Sequence, residues 1–89
     1  MKHTVCNITL FELEWYLAIE DKMITKKYRV TLEEAEKRYS EMKDALSKDD
    51  KIALFKKDYY FAEDGEISSC TEVLHSSNGV QKVVKYVKL

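Results

Sequence analysis

The chain has 89 residues, 45% of them apolar and 35% charged, and its 15 basic and 16 acidic side chains leave a formal charge of −1. That length holds one domain with a modest core, with about 60–65% of the unfolded surface buried on folding. The near-neutral balance argues against a dedicated DNA binder or a DNA mimic, and no apolar run reaches the ~18 residues a membrane helix needs.

The opening MKHTVCNITL has a lysine but no continuous apolar core, so it is not expected to be a signal peptide. Two cysteines in that setting predict reduced thiols and a cytoplasmic protein. Thr4 to Leu10 alternates through Cys6, Ile8 and Leu10. From Phe11 the alternation continues in the other phase, through Leu13, Trp15, Leu17 and Ile19. The period of two predicts strand throughout, and the change of phase predicts a bulge near Leu10–Phe11. A second strand is expected from about Ile24 to Val30. With Asp21-Lys22 as a two-residue turn, Trp15 would face Tyr28 and Glu14 would face Arg29.

Thr31 to Leu46 is the clearest element. Leu32, Ala35, Tyr39, Met42 and Leu46 recur at helical spacing and form one apolar stripe. Thr31 and Glu34 have capping-box spacing, and Glu33–Lys37 and Glu34–Arg38 are favourable i,i+4 pairs. Three strands follow: Lys51–Ala62, Ile67–Ser76 and Val80–Leu89. Asp64-Gly65 and Asn78-Gly79 mark the turns between them. The order is therefore β-β-α-β-β-β: an α+β domain with an antiparallel hairpin, one helix and an antiparallel three-stranded meander.

Reading both turns as two-residue loops predicts the register. One face carries Phe55–Leu74–Val83, Lys57–Glu72–Lys85, Tyr59–Cys70–Val87 and Phe61–Ser68–Leu89, and is expected to be the core side. The other carries Leu54–His75–Lys82, Lys56–Val73–Val84, Asp58–Thr71–Tyr86 and Tyr60–Ser69–Lys88, and is expected to be open.

No chemistry-bearing motif stands out. His3, Cys6, Cys70 and His75 are potential zinc ligands, but each pair points to opposite faces of its strand. The acidic turn Glu63-Asp64-Gly65-Glu66 has none of the EF-hand spacing. No P-loop, dinucleotide fingerprint or nucleophile elbow is present. No enzyme activity, metal or cofactor is expected. The candidate partner-binding residues are Lys56, Tyr60, His75, Lys82, Tyr86 and Lys88 on the open face. Tyrosines and cations there suit a protein partner. They also suit single-stranded nucleic acid, although Asp58 in their midst opposes a phosphate track. Should that face fail, Glu12, Glu14, Tyr16, Lys27 and Arg29 on the hairpin are next. A homo-oligomer through an exposed sheet edge is also compatible.

In size and Lys/Glu/Tyr-rich composition the chain resembles phage or mobile-element accessory proteins. Some of these are stoichiometric inhibitors of host defence, including anti-CRISPR proteins. The resemblance implies a non-enzymatic protein-binding module, with a small nucleic-acid-binding domain as the alternative.

Overall fold

A computed structural model describes the backbone of residues 4–77 and 84–88 and the side chains of residues 6–77. His3, the Asn78-Gly79 turn and Lys82 lie outside those residues. The elements are β1 (Thr4–Leu17), β2 (Lys22–Tyr28), α1 (Leu32–Ala45), β3 (Lys51–Ala62), β4 (Ile67–Ser76) and β5 (Val84–Lys88). The fold is α+β in the expected order. Hairpin and meander merge into one antiparallel sheet of order β2-β1-β3-β4-β5, because β1 pairs with β3 along most of its length.

The helix forms as its sequence predicts. Thr31 is the N-cap, and its hydroxyl accepts from the Glu34 N–H at 3.2 Å. Only this half of the capping box is seen, because the Glu34 carboxylate lies 3.5 Å from Arg38 instead. Ala35 and Tyr39 are buried, and Met42 and Leu46 pack half-buried beside them. Leu32 leaves the stripe and is 49% exposed. Thr31→Ala is expected to cost about 1 kcal/mol, since it orphans a first-turn N–H. Urea unfolding of the two chains checks this.

The core lies between α1 and one end of one sheet face. It comprises Phe11, Leu13 and Trp15 of β1, Ile52 and Leu54 of β3, and Ala35 and Tyr39 of α1. Length explains why it occupies only one end. Fourteen residues of β1 span about 47 Å, whereas fourteen residues of helix span about 21 Å. The molecule measures 47 × 23 × 22 Å, so the helix covers less than half the strand. This also explains the phase change in β1. No register shift occurs at Leu10–Phe11; the one shift against β3 falls between Thr4 and Cys6. The strand instead moves its apolar side chains to the opposite face where the helix ends.

Turn lengths differ from expectation, and register follows them. The first hairpin turns through Ala18–Asp21, with Asp21 at φ 48°, so Trp15 faces Ile24 and Phe11 faces Tyr28. Expected and observed partners differ by four residues. An even displacement keeps every side chain on its face. The β3–β4 loop is one residue longer than a two-residue turn. The Ala62 N–H donates to Glu66 O at 2.8 Å, and the Gly65 N–H donates to Ala62 O at 3.0 Å. Gly65 takes φ +83°, which its missing Cβ permits. Phe61 therefore faces Ile67, and Lys57 faces Thr71 rather than Glu72. A bulge between Leu54 and Phe55 leaves Leu74 as the extra residue and restores the expected Leu54–His75 pair.

Asp50 ties the end of β1 to the end of α1. Its carboxylate accepts from the Ala18 N–H at 2.9 Å and from the N–H and hydroxyl of Ser47, each at 2.9 Å. These donors, the Ala18 N–H foremost, hold its pKa below the ordinary aspartate value. A depressed pKa stabilises the fold above the unfolded value and stops doing so as pH falls through the folded one. Asp50→Ala should lower Tm at neutral pH, and the gap should narrow below about pH 4. Thermal melts across that range check it.

Candidate interaction surface

Each sheet face divides into two parts. The helix covers one end of its own face, where His75 sits at the helix margin. The His75 ring stacks on Tyr39 with centroids 5.0 Å apart, and its Nε2 lies 3.4 Å from Glu36. Beyond the helix this face is polar. Thr9 donates to Asp58 at 2.5 Å, and Lys56 stands 3.9 Å from the same carboxylate. Tyr60 pairs in register with Asn7 and Ser68.

The face expected to be open is thus the one the helix packs on. Lys56, Tyr60 and His75 do share it. Tyr86 and Lys88 occupy register positions opposite Cys70 and Ser68, in the rows of Asp58 and Tyr60. They reach those rows because β4 slips by one residue against β3 and β5 slips by one against β4, and the two slips cancel. Only the part of β4 from Ile67 to Val73 is inverted. Glu72, Cys70 and Ser68 stand where Val73, Thr71 and Ser69 were expected. Glu72 now lies in the Lys56 row, next to the row that already held Asp58. His75 is drawn to the helix, away from Tyr60. The expected constellation is therefore divided between a helix contact and an acid-rich patch.

The opposite face carries the residues expected in the core. Its rows read Cys6–Phe61–Ile67, Ile8–Tyr59–Ser69, Leu10–Lys57–Thr71, Lys27–Glu12–Phe55–Val73 and Thr25–Glu14–Ala53–Ser76. Among the described residues no element packs over it. Ile8, Leu10, Phe55, Tyr59, Phe61, Ile67 and Val73 are each half-buried. At its centre Lys57 Nζ meets Glu12 Oε2 at 2.7 Å. The hydrogen bond to Glu12 raises the Lys57 pKa above the ordinary lysine range, against the opposing effect of burial. Glu12 is only 9% exposed, so the pair is neutralised internally. Beside it a 510 Å³ cleft opens between Tyr16, Met23, Phe55 and Val73, with Glu14 and Lys51 on its walls. Tyr16 is anchored there by donating to Asp21.

Cys6 and Cys70 are free thiols in different rows, on opposite faces. Among the described residues no group of three His, Cys, Asp or Glu gathers as metal ligands. No helix among them is long and apolar enough to cross a membrane.

The Phe55 face has two signals in the sequence. One is the change of phase in β1. The other is that β3 is apolar on both parities, with Ile52 and Leu54 on one and Phe55, Tyr59 and Phe61 on the other. Compared with known proteins, the chain matches no family model, no curated protein and no solved structure.

Proposed function

We propose that this chain is a non-enzymatic protein-binding module whose binding surface is the Phe55 face of the sheet. One observation carries the reading: the face over which no described element packs is rich in large apolar side chains. An antiparallel sheet with one face in water ordinarily alternates apolar-in and polar-out. Here the outward positions hold Ile8, Leu10, Phe55, Tyr59, Phe61 and Val73. A contiguous apolar patch rimmed by charge marks an interaction site. The Glu12–Lys57 pair leaves little uncompensated charge at the centre, as the depletion of charge in interface cores requires. An inhibitor that acts by occupying its target, the type the composition resembles, needs only such a surface.

Affinity capture from lysate of the cells in which the chain occurs tests this, run with and without nuclease. The comparison is a Leu10→Glu, Phe55→Lys double variant. Leu10 stands opposite Lys57 and Phe55 opposite Glu12, so each new charge lies beside the Glu12–Lys57 pair, and a cooperative melt of the variant checks that the fold is retained. The reading expects a protein retained through nuclease treatment and lost with the variant. Capture that nuclease abolishes would favour the nucleic-acid alternative.

A further inference from the structure

We infer that the outer edge of β2 is a docking site for an extended acidic segment of a partner protein, added as a further antiparallel strand. The inference rests on the strand edge, which Lys27 and Met23 share with the border of the Phe55 face. β2 is the last strand of the sheet, and among the described residues nothing pairs with its outer side. Its seven residues offer about 24 Å of edge with unpaired backbone donors and acceptors.

Charge selects the occupant. Lys22, Lys26, Lys27 and Arg29 are all exposed, and the stretch from Lys22 to Arg29 contains no acidic residue. Glu12 faces Lys27 across the ladder, but its carboxylate is engaged with Lys57 at 2.7 Å. None of the four cations has an ion pair among the described residues. A second copy brought edge to edge would set these cations against their own kind, so self-pairing is disfavoured. An acidic strand gains both the ladder and the charges. Side chains set its pattern: acids opposite Lys22, Lys26 and Lys27, and apolar residues opposite Ile24 and Met23, the latter 55% exposed.

The probe is the peptide acetyl-Thr-Glu-Glu-Thr-Val-Val-Glu-amide, titrated into the full 15N-labelled chain. Expected are amide shifts and slowed amide exchange concentrated on Lys22–Tyr28. Lys26→Glu with Lys27→Glu should weaken binding by about tenfold or more. Methylating alternate backbone nitrogens of the peptide should weaken it similarly, which a purely electrostatic contact would not show. Three results would each overturn the inference: no binding at millimolar peptide, equal binding of a peptide with lysine in place of each glutamate, or the same shifts with oligothymidylate.

Discussion

Leu54→Ala should destabilise the protein by about 3 kcal/mol, and Phe55→Ala, one residue along the same strand, by only about 1 kcal/mol. Leu54 is 1% exposed and lies in the core under α1, opposite Leu13, which is 2% exposed. Truncating it removes transfer energy and leaves a cavity that tightly packed neighbours close only in part. Phe55 points the other way, onto a face with no second layer among the described residues, so solvent fills what truncation removes. The reverse order, with Phe55 the costlier loss, would mean that the helix packs on the other face. Chemical denaturation of both variants decides it, provided the m-values match.

Much of the architecture was legible because it is written locally. The helix announces itself through Thr31 and the spacing of Ala35, Tyr39, Met42 and Leu46. Alternation and glycine turns mark the strands. Register was less legible, because it depends on loop length. Asp64-Gly65 suits a two-residue turn and also a three-residue loop closed by a left-handed glycine. One added residue inverts β4 from Ile67 to Val73. That β5 nevertheless keeps its rows relative to β3 results from two cancelling slips. Strand order was not legible, because the β1–β3 pairing joins residues far apart in sequence. Glu12 with Lys57 and Thr9 with Asp58 record it only as complementary chemistry.

The face assignment failed for a geometric reason. Large apolar residues on the odd positions of β3 read as a core, yet a core also needs a covering layer. A helix of about 21 Å covers only one end of strands twice its length. Ile52, Leu54 and the odd positions of β1 claim it first, because Phe11, Leu13 and Trp15 offer the larger contiguous surface at that end. Of the six residues singled out for binding, Lys56, Tyr60 and His75 have described side chains, and these lie on the helix face.

The second large effect is on binding. Leu10→Glu with Phe55→Lys should weaken the captured protein partner by about a thousandfold, taking two apolar anchors at about 2 kcal/mol each. Both side chains are half-buried on the face without a second layer among the described residues, so Tm should fall by several degrees while unfolding stays cooperative. Lys56→Ala with Tyr60→Ala, on the helix face, should change affinity by less than about threefold, the residue of rim contacts that exclude water. Titration calorimetry of the purified partner against the native chain and both variants is the most direct measurement. The account predicts the large loss for the Leu10 and Phe55 pair alone. A large loss confined to the Lys56 and Tyr60 pair would contradict it and place the binding surface beside the helix.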